Sequence, residues 1–324
     1  MIKIGVVGYG NLGKAVTKVI QNFDDMKLVC VFSRRDIRSC GDLKFEKMER
    51  IKDYKNKIDV MIMCGGSATD LMTQSPQVLQ DFCIVDSFDT HAKIWKHYET
   101  LNRVGKQNNK LAILSVGWDP GLFSVMRLMF SSLSNKAKIF TFWGKGISQG
   151  HSDAIRRLDG VLDARQYTIP NKKLLKKVRC GKVDELDGKH MHTRECFVAL
   201  KKGVLKNKVE KAIKTMPHYF EGYKTKVHFV SEEKINKQHN KLFHGGNVIG
   251  FFDSYGNKSL MEFSLKLDSN PDFTASVLLC YARACYKLFK DKNVGALTAF
   301  DIAPKDMTSL SVWDTMKLLW KFHL

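Results

Sequence analysis

The sequence predicts an α/β protein, a doubly wound parallel sheet followed by a second α+β domain. Three observations carry this. Short β-branched runs alternate with helical stretches through about residue 118. A glycine-rich turn, Gly8-Tyr9-Gly10-Asn11-Leu12-Gly13, joins the first strand directly to the first helix. After Trp118-Asp119-Pro120-Gly121 the strands lengthen and the regular alternation stops.

Strands are expected at 3–7, 28–33, 58–64, 83–86 and 111–116. All are short and apolar on both faces, as strands covered by helices on two sides must be. Helices are expected at 12–21 and 91–107, and one at 122–133 leads into the second domain. There the strands fall at 138–143, 164–169, 192–200, 225–230, 247–252 and 260–267, a mostly antiparallel set. Two helical runs, 273–290 and 312–322, are expected to return to the first domain. The domains are then 1–118 plus about 272–324, and 119–271.

The turn at residues 8–13 is GxGxxG between a strand and a helix, the Rossmann-type dinucleotide fingerprint. Gly8 permits the tight turn, Gly10 keeps a side chain away from the pyrophosphate, and Gly13 lets helix and strand pack closely. The helix N-terminus offers N–H groups and a positive dipole to the anion. Proteins that select NAD place an acid on the ribose about twenty residues on. Here that position is Ser33, followed by Arg34 and Arg35. Guanidinium groups bind a 2′-phosphate bidentately, which favours NADP. The alternative is that both arginines are ordinary loop charges, with Asp36 nearby. Gly65, Ser67, Ala68 and Thr69, with Thr69 expected to cap a helix, follow the third predicted strand, and Asp89 lies just after the fourth. Both loops fall at the carboxyl ends of strands, where open α/β sheets bind ligands.

The formal net charge is +20, more of it after Val116 than before. The densest lysines (172–182 and 201–214) interleave with apolar residues at helical spacing, so they read as solvated helix faces and not as a nucleic-acid surface. The eight cysteines are scattered, without CxxC or Cys/His pairs at metal spacing, and read as small buried hydrophobes in a reducing compartment. No apolar run approaches a membrane span, and the first residues enter a strand with no room for a signal peptide. A cytoplasmic protein without metal, membrane or nucleic-acid partner is expected.

Several longer blocks occur in order: VGYGNLGKAV, FSRR, GSATD, WDPGLFSV, FWGKGISQGHSDAIRR, HTRECFV, TMPHYFEGY, HGGNVI and LKLDSNPDFTAS. From residue 7 to about 285 they resemble the meso-diaminopimelate D-dehydrogenases; the last stretch resembles them only loosely. The resemblance implies NADP-dependent oxidative deamination at the D-centre of meso-2,6-diaminopimelate, giving L-2-amino-6-oxoheptanedioate and ammonia. It also implies a homodimer whose second domain binds substrate and dimerises.

On that resemblance, Asp89 and Asp119 hold the reacting D-amino group. Trp143 with Ser148, Gln149 and Gly150 surrounds the D-carboxylate. Thr168, Arg194 and His244 bind the L-carboxylate, and Asn270 the L-side amino group. From composition alone each has a plainer reading: loop aspartates, a packing tryptophan, a capping serine, a turn histidine before Gly245-Gly246. His151 reads as loop structure. A related D-amino-acid dehydrogenase of broader specificity is the nearest alternative, and a non-enzymatic NADP- or nucleic-acid-binding protein a more distant one.

Overall fold

The computed structural model describes residues 1–37, 41–183 and 186–321. Two compact units result: Met1–Val125 with Pro271–Leu324, and Met126–Asn270. Strands of the first run are β1 (Ile2–Val7), β2 (Met26–Ser33), β3 (Phe45–Lys47), β4 (Val60–Met63), β5 (Cys83–Asp86) and β6 (Leu111–Ile113). The second unit holds β7 (Lys138–Trp143), β8 (Gly146–Ile147), β9 (Val161–Pro170), β10 (His192–Leu200), β11 (Lys224–Phe229), β12 (His244–Ser254) and β13 (Asn257–Leu267). The returning segment adds β14 (Gly295–Leu297) to the first unit.

In the first unit every pairing is parallel and the order is β14-β6-β5-β4-β1-β2-β3. The order reverses between β1 and β4, so the loops after these strands open a crevice at the carboxyl edge. Two cores cover the faces. Helices Asn11–Val19 and Asn270–Lys290 supply Val16, Leu278, Leu279 and Ala282 to one; helices Leu71–Leu79 and Ile94–Asn108 supply Leu71, Val78 and Leu101 to the other. Phe32, Ile62 and Ile84 are wholly buried, which is why these strands read as continuous apolar runs.

Two small sheets form the second unit, β11-β10-β9-β8 and β13-β12-β7. Their ladders are antiparallel except β10–β11, which is parallel because Gly203 and helix Lys206–Lys214 carry the chain back to its starting end. Lysines of helices Lys172–Arg179 and Lys206–Lys214 are exposed while Val178, Val209 and Ile213 are buried, the amphipathic arrangement expected.

Some expectations need correction. β3, β8 and β14 are too short, at two or three residues, to give a period. Residues 114–116 leave the sheet because Ser115 takes a positive φ of 56°. Thr69 does not cap the helix that follows; the N-cap is Asp70, whose carboxylate accepts instead from Gly66 N (3.0 Å) and Arg34. His151 lies in helix Gln149–Arg156 and not in a loop, and Gly146-Ile147 and Gln149-Gly150 belong to β8 and that helix. Five cysteines are buried, Cys280 is partly so and Cys180 is exposed; Cys40, and Phe322 at the end of the last predicted helix, lie outside the described residues. Among the described residues no helix is long and apolar enough to cross a membrane, and no group of three metal-binding side chains occurs.

Candidate active site

In the first unit the fingerprint builds a cradle out of backbone. Gly8 has φ +96°, and a Cβ there would press on the Cys64 carbonyl at 3.2 Å. A Cβ on Gly13 would overlap the Gly8 oxygen, so only glycine lets the helix start this close to β1. A Cβ on Gly10 meets nothing within 4 Å. Gly10 is therefore spared a side chain by no neighbour in the protein, which fits a pocket shaped for a ligand. Gly10 is also the N-cap of helix Asn11–Val19, which no side chain caps and no acid enters in the first turn. Tyr9 packs its ring on Phe45, and its carbonyl accepts from Arg35 Nη2 (3.3 Å). Leu12 packs partly buried on the adjoining core.

Ser33, buried at the end of β2, accepts from Arg35 N (3.1 Å) and so shapes the Arg34–Arg35 turn. Arg34 ion-pairs with Asp70 at 2.7 Å, linking that turn to the loop after β4. Gly65 sits against Asp70 and Gln74, and Ser67 Oγ accepts from Asp89 N (3.1 Å). Ala68 and Thr69 are exposed in the same turn. Asp89 is exposed after β5 and Asp119 half-buried after β6. Both thus stand at the carboxyl edge that carries the cradle.

In the second unit the site is built from side chains. β9 and β10 pair Thr168 with Arg194 across the ladder, and Arg194 Nη1 donates to Thr168 Oγ1 at 2.6 Å. Gln166 Nε2 donates to the same oxygen at 3.4 Å. With both lone pairs occupied, the Thr168 hydroxyl has only its proton left to offer. Arg194 is buried, its guanidinium 4.3 Å above the Tyr223 ring. No carboxylate lies within ion-pairing distance among the described residues, and its Nε has no partner. Burial lowers its pKa from the ordinary value. A buried cation without a counter-ion is costly, so this site is complementary to an anion.

Neighbouring imidazoles stay neutral for the same reason. Burial, then the nearby Arg194, pushes His192 down to about 4 and His151 to about 3. His192 Nε2 accepts from Trp143 N (2.7 Å), and its ring lies 5.0 Å from the indole. Ser148 caps helix Gln149–Arg156, its Oγ 2.8 Å from His151 Nδ1; Gln149 and Gly150 form the first turn of that helix. His244, buried at the start of β12, packs so tightly on Gly146 that a Cβ there would strike its ring. Asn270, the first residue of its helix, donates its backbone N–H to Leu242 O (2.8 Å).

Residues 117–269 match the model of the diaminopimelic acid dehydrogenase C-terminal domain, and residues 2–103 that of the dihydrodipicolinate reductase N-terminus. A meso-diaminopimelate D-dehydrogenase of Ureibacillus thermosphaericus is 51% identical over 93% of this chain and 94% of its own. The chain belongs to the meso-diaminopimelate D-dehydrogenase family. Another relative of that name, from Acetivibrio thermocellus, is 46% identical over 98% of this chain and 97% of its own. Among solved structures, the C. glutamicum diaminopimelate dehydrogenase in complex with diaminopimelate superposes with a TM-score of 0.95 at 38% identity, covering 98% of both chains. An engineered D-amino acid dehydrogenase bound to NADP+ superposes at 0.93 with 37% identity, covering 98% of both. The Rossmann-type sheet with its second α+β unit is the fold of this family.

Sequence reasoning missed residues that this member of the diaminopimelate dehydrogenase family uses to organise these features. His192 carries Trp143 and lies two residues before Arg194, so strand alternation places both on one face; that spacing is the signal that could have found it. Gln166 is two residues before Thr168 on the same grounds. Nothing local marks Asp70 as the partner of Arg34.

Proposed function

We propose that this chain catalyses the reversible, NADP-dependent oxidative deamination of meso-2,6-diaminopimelate at its D-centre. Substrate, NADP+ and water give L-2-amino-6-oxoheptanedioate, ammonium, NADPH and a proton. The observation that carries the reading is buried Arg194, hydrogen-bonded to Thr168 and lacking a described counter-ion. A planar guanidinium and a hydroxyl that can only donate suit a carboxylate.

NADP+, when bound, supplies the hydride acceptor. Gly8, Tyr9, Gly10, Asn11, Leu12 and Gly13 would hold its pyrophosphate, Ser33, Arg34 and Arg35 its 2′-phosphate, with Gly65, Ser67, Ala68 and Thr69 lining the loop after β4. Asp89 and Asp119 hold the D-side ammonium by charge and hydrogen bonding, fixing the carbon that loses hydride. Trp143, Ser148, Gln149 and Gly150 serve the D-carboxylate. Thr168, Arg194 and His244 take the L-carboxylate, and Asn270 the L-side amine. His151 and His192 stay neutral through burial and the nearby Arg194, so Arg194 supplies the positive charge of this group. The family resemblance supports a homodimer acting in the cytoplasm in lysine and diaminopimelate synthesis, with residues 1–118 and about 272–324 binding cofactor and 119–271 binding substrate and the second protomer.

The test is NADPH absorbance after mixing protein, NADP+ and single amino acids at mildly alkaline pH. Turnover of meso-diaminopimelate without turnover of the LL isomer is expected. Preference for other D-amino acids would move the assignment to the broader enzyme, and silence with every substrate would refute it. Light scattering of the purified chain checks the dimer.

A further inference from the structure

Asp86, the last residue of β5, is wholly buried and lies outside every group assigned above. Its Oδ1 accepts from the backbone amides of Phe88 (3.1 Å) and Ser115 (3.0 Å). Its Oδ2 accepts from Ser75 Oγ (3.2 Å) and meets His97 Nε2 at 2.7 Å. Four donors fill the four lone-pair positions of an ionised carboxylate. The His97 contact requires its proton on Nε2, and the wholly buried ring lies 4.4 Å from Phe88. The Asp86 carbonyl also accepts from Val116 N (3.0 Å).

These bonds converge on two loops. Phe88 immediately precedes Asp89, and Ser115, held at φ 56°, opens the loop that reaches Asp119. One carboxylate oxygen thus ties both loops to a common point, while the other anchors that point to helices Leu71–Leu79 and Ile94–Asn108. We infer that Asp86, held by His97, is a positioning residue that fixes Asp89 and Asp119 relative to each other for the reaction at the D-centre. The inference rests on the proposed role of those two aspartates. A single fixed oxygen is an economical link: displacement of either loop must break a bond to a buried carboxylate, leaving it unsatisfied.

The test compares Asp86→Ala, His97→Gln and Ser75→Ala in the holoenzyme by kcat, KM for NADP+ and Tm. Alanine at position 86 removes the one oxygen that accepts from both Phe88 N and Ser115 N, and so unties both loops. A kcat loss of roughly 30-fold is expected, with KM for NADP+ changed less than about twofold. His97→Gln leaves both amide bonds but loosens the anchor, and roughly a 3- to 10-fold kcat loss is expected. Ser75→Ala removes a bond on the helix side only and should keep kcat within about threefold. A merely structural role predicts that kcat follows Tm across the three, and that result overturns the inference. So does a folded Asp86→Ala enzyme with kcat within threefold of the parent; should that variant not fold, His97→Gln within twofold overturns it. Asp89→Ala and Asp119→Ala run alongside: unchanged kcat in these would defeat the role of the aspartates, and not the link to Asp86.

Discussion

The cofactor cradle and the carboxylate site both recognise anions, by opposite means. Around Gly8–Gly13 the donors are backbone amides at a helix terminus, and the protein's contribution is to keep side chains away. Around Arg194 the donors are side chains, one of them a buried cation held against Tyr223. A backbone site costs no buried charge and is written as a compact motif. A side-chain site carries an electrostatic penalty when empty, and its members come from separate strands. The contrast predicts different responses to mutation.

The largest effect should come from Arg194→Met. Activity with meso-diaminopimelate should fall by ~10³-fold or more, with NADP+ affinity unchanged. Tm should stay level or rise, because a buried cation without a described counter-ion is removed. A marked fall in Tm would show that Arg194 serves the fold first. In the cradle, Gly13→Ala should lower both Tm and NADP+ affinity because of the overlap with Gly8 O, whereas Gly10→Ala should leave Tm alone and weaken NADP+ by ~10-fold or more. Equal Tm losses at the two glycines would break the distinction between structural and ligand-imposed glycine.

Arg34→Ala with Arg35→Ala should weaken use of NADP+ by ~10- to 100-fold and of NAD+ by less than about threefold. Equal loss for both would remove the 2′-phosphate from these residues. The smallest effect is on acid stability. His192 is neutral when folded, with a pKa near 4 against an ordinary 6.5. Its contribution is complete above pH 6.5 and is lost as pH falls toward 4, because the unfolded chain binds the proton first. Tm should decline through that window, and His192→Gln should flatten the decline; an unaltered slope would refute the assignment.

The first unit was legible because its signals are local. Both-face burial writes continuous apolar strands, and the nucleotide turn occupies six residues. What stayed hidden depends on partners distant in sequence. β14 is three residues long and is fixed by pairing with β6, and Asp70 holds Arg34 from another loop. In the second unit the strands were visible, but Arg194, Thr168 and His244 gained roles only through the family's blocks. Composition cannot distinguish a buried arginine from a surface one. Thr69 illustrates the reverse error: a good capping residue was displaced by the next residue, whose longer carboxylate reaches both Gly66 N and Arg34.

The return of the chain after residue 270 bears on how the molecule is made. The sheet that holds the cradle is begun by the first seven residues, yet β14 and helix Asn270–Lys290, with Ala275, Leu278, Leu279 and Ala282 in its core, come from the last sixth of the chain. A ribosome delivers the second unit whole while one face of the first still lacks part of its cover. The unit that comes first in sequence is therefore finished after the second, and until helix Asn270–Lys290 packs on it the uncovered part of its apolar sheet face needs shielding from neighbouring chains.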